Sequence, residues 1–198
     1  MKVLVVGSGG REHAMVWKLA QSPRKPTLYC APGNVGIESL ATCVPIDAND
    51  LAGLKAFVQS EQIDLTVVGP EAPLALGIVD EFRTSKLKVF GPTKGAARIE
   101  ASKVFSKEIM NRAKILTANA QSFDQVAPAL AYLDQHELPV VVKADGLAQG
   151  KGVVVAATRE EAKQAVRDSM EQARFGQAGQ RVLIEQFLDG EELTIMAF

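Results

Sequence analysis

Short apolar runs alternate with amphipathic stretches over the first 90 residues. Residues 3–6, 27–30, 43–46, 65–68 and 89–90 read as buried strands. Between them, residues 11–21 place Ala14, Trp17 and Ala20 on one helical face. Residues 50–59 gather Leu51, Leu54, Phe57 and Val58, and residues 74–83 gather Ile78, Val79 and Phe82. Strands alternating with helices predict a parallel, doubly wound α/β sheet, whose ligands bind at the carboxyl ends of the strands. The loops there are 7–10, 31–36, 69–73 and 91–93, each with glycine, proline or both.

The pattern changes near residue 100. Residues 94–112 predict helix, broken near Glu100, and 121–135 contain another with Val126, Leu130 and Leu133 inward. Strands are expected at 140–142, 153–157, 181–185 and 192–198. Thr158 and Glu161 have the spacing of a capping box that starts a helix running to about Ala173. Hairpin-length connections predict a second, α+β module with an antiparallel sheet. The expected division is therefore 1–100 and 101–198.

The chain is 47% hydrophobic and 23% charged, enough apolar content for a packed core. A formal net charge of −1 gives no bulk field for nucleic acid, so any basic site is local. The run at 3–6 is too short for a signal peptide and nothing approaches a membrane span, so a cytoplasmic protein with no membrane partner is expected. Cys30 and Cys43 lack metal-ligand spacing and read as buried thiols. Trp17 is expected in the core, His13 as a packed or capping residue, and His136 in solvent.

The most informative stretch is 140–157, VVVKADGLAQGKGVVVAA. Lys143 lies on the first strand, and the glycine-rich turn with Gly150, Lys151 and Gly152 precedes the second. Charges on strand and flap neutralise a polyphosphate from two sides. It is not a P-loop: three residues separate Gly146 from Gly150, Gly152 follows Lys151, and a strand comes next. Gly7-Ser8-Gly9-Gly10-Arg11-Glu12 approaches the dinucleotide fingerprint but carries Glu12 at its third glycine position. The second strand also ends in Cys30-Ala31-Pro32-Gly33, with no acid for a ribose. Phosphate or sugar phosphate is the expected ligand of that turn, with a ligand-free tight turn as the alternative. Asn34 and Glu71 follow strands on the same edge; Glu71, between Pro70 and Pro73, is held rigidly enough to meet hydroxyls or an amine. Turn chemistry alone is the alternative for both. Finally, Glu185 ends an apolar strand, a short linker follows, and Glu192 lies seven residues on, an arrangement able to meet an adenine edge and a ribose.

Six segments in this order resemble the ATP-grasp superfamily and, within it, the phosphoribosylamine–glycine ligases, also called glycinamide ribonucleotide synthetases. They are VLVVGSGGREHA (3–14), APGNVG (31–36), DLTVVGPEAPLALGIVD (64–80), VFGPTKGAARIEASKVFSKEIM (89–110), VVVKADGLAQGKGVVVA (140–156) and VLIEQFLDGEEL (182–193). The resemblance implies a Rossmann-like substrate-binding domain followed by a partial ATP-grasp domain, with the ATP lid at about 118–186. It implies that ATP and Mg²⁺ (or Mn²⁺) activate glycine as glycyl phosphate. The amine of 5-phosphoribosylamine then attacks, giving glycinamide ribonucleotide, ADP and phosphate in de novo purine synthesis. By the same resemblance Lys103 and Lys143 contact nucleotide phosphates, Gly150, Lys151 and Gly152 form the flap, and Glu185, Phe187 and Leu188 line the adenine pocket. Glu192 takes the ribose, and Gly9, Asn34 and Glu71 serve phosphoribosylamine. Leu116 and Gln149 depart from the family's usual proline and alanine. Catalytic residues and metal ligands are expected after residue 198, so neither is assigned within the chain. The chain reads as an N-terminal fragment, without turnover apart from the rest of its polypeptide. The alternatives are another ATP-grasp ligase or carboxylase, or a nucleotide-binding module without chemistry.

Overall fold

A computed structural model describes residues 1–147, 152–172 and 179–195. They form two compact units, one ending at Ala101 and the other starting at Ser102.

The first unit is a parallel five-stranded sheet in the order β3-β2-β1-β4-β5. Its strands are β1 (Lys2–Gly7), β2 (Thr27–Pro32), β3 (Thr42–Cys43), β4 (Leu65–Val68) and β5 (Val89–Phe90). The central strand β1 is buried on both faces, and its period of two feeds two cores. Leu4 and Val6 pack with Leu54, Val58, Ile78, Val79 and Phe82 from α2 (Leu51–Ser60) and α4 (Ile78–Thr84). Val3 and Val5 pack on the other side with Ile37 and with Val16 of α1 (Gly10–Ala20).

Three sequence expectations change here. Trp17 is not core: it is 54% exposed, and Ala14 and Ala20 share its solvent face. The inward stripe of α1 is Glu12, Val16 and Leu19, because the Glu12 carboxylate satisfies loop amides and so is buried with the apolar side chains. The helix expected at 74–83 is two, α3 (Glu71–Leu76) and α4, separated by Gly77 at φ +103°, a left-handed turn that glycine adopts without steric cost. The strand expected at 43–46 is only Thr42–Cys43, since Pro45 has no amide to extend the ladder.

The chain leaves this unit through α5 (Lys94–Ala101). Ser102 then caps α6 (Lys103–Arg112), its hydroxyl accepting from Phe105 N at 3.1 Å. The break expected near Glu100 is therefore a change of helix. The second unit is an antiparallel sheet in the order β6-β9-β7-β8. Its strands are β6 (Ala120–Phe123), β7 (Val140–Ala144), β8 (Val153–Ala156) and β9 (Val182–Gln186). One face, with Phe123, Val140, Val142, Ala156, Val182 and Ile184, packs on α7 (Val126–Gln135) and α8 (Arg159–Met170). The capping box of α8 forms as expected between Thr158 and Glu161. Residues 192–195 are not a strand: no described backbone pairs with them, and Ile195 is 89% exposed. Residues 196–198 of that expected strand lie outside the described residues. No described helix is long and apolar enough to cross a membrane.

Candidate functional site

In the first unit the loops after β1 and β4 meet around Glu12, which lies against Gly7, Gly9 and Gly69. Its carboxylate accepts from Gly9 N at 2.7 Å and from Arg11 Nε at 3.2 Å. Gly7, at φ +129°, leaves it room: a Cβ there would stand 2.5 Å from Glu12 Cγ. A carboxylate of the protein thus takes the Gly9 amide, as the N3 residue of a capping box, in the turn that corresponds to a dinucleotide fingerprint. Replacing Glu12 by alanine removes the bond to the Gly9 amide and opens a void where the buried side chain lay. The expected loss is about 2 kcal/mol of stability, read as a lower urea midpoint with unchanged m-value.

The other two candidates of this unit differ in availability. Asn34 spends its amide on the protein, donating to Ser8 O at 2.8 Å and accepting from Ile37 N at 3.1 Å, so it ties the second loop to the first. Glu71 is exposed and pairs with Arg11 Nη1 at 2.8 Å. That hydrogen bond holds the Glu71 carboxyl below the usual carboxylate range and the guanidinium above its own. His13 is half-buried against Gly36, where a Cβ would stand 2.8 Å from the imidazole Cε1. Cys30 is buried and donates to Gly7 O, and burial pushes its thiol up to about 12; Cys43 is only partly buried.

In the second unit the sheet face opposite α7 and α8 carries the chemistry. Register places Val141, Lys143, Leu183, Glu185, Val153 and Val155 on it. Lys143 Nζ lies 2.5 Å from Glu185 Oε2, and Lys107 Nζ of α6 lies 3.3 Å from Glu185 Oε1. Val153 and Val155 of β8 are exposed beside Lys143, leaving an apolar strip next to a cation. Lys103 donates to Gly146 O at 2.8 Å, at the start of the flap. Asp145 anchors the same turn: it accepts from Val104 N, Ser102 Oγ, and Arg181 Nε and Nη2. Burial raises its carboxyl, but the Val104 amide, Arg181 and Ser102 outweigh that and hold it below the usual carboxylate range.

Of the expected nucleotide residues, the structure brings Lys143 and Glu185 into contact and puts Lys103 on the flap backbone. Gly152 is buried, its carbonyl accepting from Ala144 N at 2.8 Å. Gly150 and Lys151 lie outside the described residues. Phe187 borders a cleft of about 540 Å³ with Asn119, Tyr132, His136, Pro139 and Gln186. His136, expected in solvent, is half-buried, its ring centroid 5.0 Å from that of Tyr132. Leu188 and Glu192 are exposed. Sequence reasoning missed Lys107 and Asp145. The signal for Lys107 was its place four residues after Lys103, on a neighbouring turn of the same helix.

A parallel α/β unit followed by an α+β unit with a lysine-bearing antiparallel sheet defines an ATP-grasp architecture. Residues 1–100 match the family model described as phosphoribosylglycinamide synthetase, N domain, and residues 101–198 match phosphoribosylglycinamide synthetase, ATP-grasp (A) domain. The chain belongs to the phosphoribosylglycinamide synthetase family. It is 56% identical over 198 residues to the phosphoribosylamine–glycine ligase of Escherichia coli strain K12, and 54% identical to that of Salmonella typhi. In each case the match covers 99% of this chain and 46% of the relative, so the chain spans about half the length of these relatives. The crystal structure of phosphoribosylamine–glycine ligase from Thermotoga maritima superposes with a TM-score of 0.77 at 29% identity, covering 96% of this chain and 45% of that one. Biotin carboxylase from Campylobacter jejuni shares the fold at TM-score 0.77 and 14% identity, over 95% of this chain and 45% of that one.

Proposed function

We propose that the full-length protein joins glycine to 5-phosphoribosylamine at the expense of ATP, through glycyl phosphate, releasing glycinamide ribonucleotide, ADP and phosphate. The observation that carries this reading is the Lys143–Glu185 pair on the sheet face opposite α7 and α8, within a chain of this family. Lys143 and Lys103 would hold nucleotide phosphates, with Gly150, Lys151 and Gly152 closing over them. Glu185, Phe187 and Leu188 would line the adenine, and Glu192 would take the ribose. Residues 1–100 would bind phosphoribosylamine and 101–198 ATP, with about 118–186 as the lid.

In the first unit, Glu71 is the residue best placed for the amine or hydroxyls of phosphoribosylamine, being exposed and exchangeable with Arg11. Asn34 and Gly9 would contribute by shaping the loops, since Asn34's amide group and Gly9's backbone N–H are already engaged within the protein. Among the described residues no three His, Cys, Asp or Glu side chains cluster as metal ligands. What this chain supplies is positioning and charge: lysines neutralise the transferring phosphoryl group, and a closing flap keeps water from the acyl phosphate.

Phosphate release by the full-length protein should require ATP, glycine and phosphoribosylamine together. Release that proceeds at the same rate without the amine, or none at all, would sink this reading.

A further inference from the structure

We infer that Lys107 is a resident counterion that allows Lys143 to leave Glu185 for a nucleotide phosphate. This rests on the nucleotide-site reading above and adds a residue which that reading does not use.

The two lysines share one buried carboxylate but are held differently. Lys107 donates to Thr117 Oγ1 at 2.6 Å and to Ala118 O at 2.8 Å, and its ammonium is ion-paired with Glu185 Oε1 at 3.3 Å. Its side chain is 11% exposed. Lys143 is 27% exposed, and Glu185 is its ion-pair partner. Two hydrogen bonds tie Lys107 to the protein besides its ion pair, whereas among the described residues the ion pair alone holds the Lys143 ammonium, so Lys143 is the one able to swing. A phosphate that draws Lys143 away would leave Glu185 as a bare buried carboxylate if no second cation were present, and such a charge is strongly disfavoured. Lys107 remains on the other oxygen and removes that cost. It does so without touching the nucleotide, so it is a positioning residue.

The test is a double-mutant cycle on the full-length protein, comparing adenosine and ATP binding by calorimetry in the unmodified protein, K107M, E185Q and the pair. K107M should bind adenosine within about threefold of the unmodified protein and ATP about tenfold more weakly. In the E185Q background, where no carboxylate is left for Lys107 to balance, K107M should move ATP affinity less than about threefold. Equal losses of adenosine and ATP would make Lys107 merely structural, and a tenfold ATP loss in both backgrounds would make it a direct phosphate ligand; either overturns the inference. If K107M alone does not fold, the pair read against E185Q decides by the same threshold. An unmodified protein that takes up no ATP sinks the nucleotide site itself, whereas normal ATP uptake by K107M sinks the counterion alone.

Discussion

Replacing Asp145 by alanine is expected to cost the second unit about 3 kcal/mol, the largest stability effect foreseen for this chain. The carboxylate is almost wholly buried, at 5% side-chain exposure. It joins the start of α6 to the end of β7 through Val104 N and Ser102, and to the residue before β9 through Arg181. Arg181 is half-exposed and can rehydrate when its partner goes. The cost therefore comes mainly from the Val104 amide and the Ser102 hydroxyl. A urea titration of D145A should show the fall as a lower midpoint. The sign of the pH dependence follows from the lowered folded-state pKa. Asp145's contribution is complete above the unfolded value near 4 and is lost as pH falls through the lower folded value. The acid limb of the stability curve should therefore be shallower in D145A. An unchanged midpoint and limb would show that the bridge does not hold the turn.

Lys143→Ala should separate binding from folding. ATP affinity of the full-length protein is expected to fall roughly 100-fold, the value of a lost charge-assisted contact to phosphate. Stability should change by less than about 1 kcal/mol, because Lys107 keeps Glu185 paired and Lys143 is partly solvated. Calorimetric titration and urea unfolding of the same variant read the two quantities. Undiminished ATP affinity would remove Lys143 from the nucleotide site, and a collapse in stability would assign it to the scaffold.

The alternating architecture was legible because β1, β4 and β7 are β-branched runs that only burial explains, and because Thr158 and Ser102 cap helices by local chemistry that needs no tertiary context. Strand β6 was not legible. Ala120-Gln-Ser-Phe123 has little apolar content, and as an edge strand it needs none on its exposed side. The orientation of α1 failed for a different reason. Hydropathy cannot foresee that Glu12 is 3% exposed, because its burial depends on amides from a loop that folds against it. In the site, Lys143 and Glu185 stood out as polar residues ending apolar strands. Lys107 did not, since a lysine on an amphipathic helix reads as solvated until the strand beneath it is known.

Glu12 has one more implication, in terms of supply. An anion bound from solution occupies an amide only in proportion to its concentration. A carboxylate on the same chain is present at a fixed one-to-one ratio and cannot be diluted away. The Gly9 amide is therefore matched at every metabolite concentration, and the Glu12 carboxylate holds its part of the turn without a bound ligand.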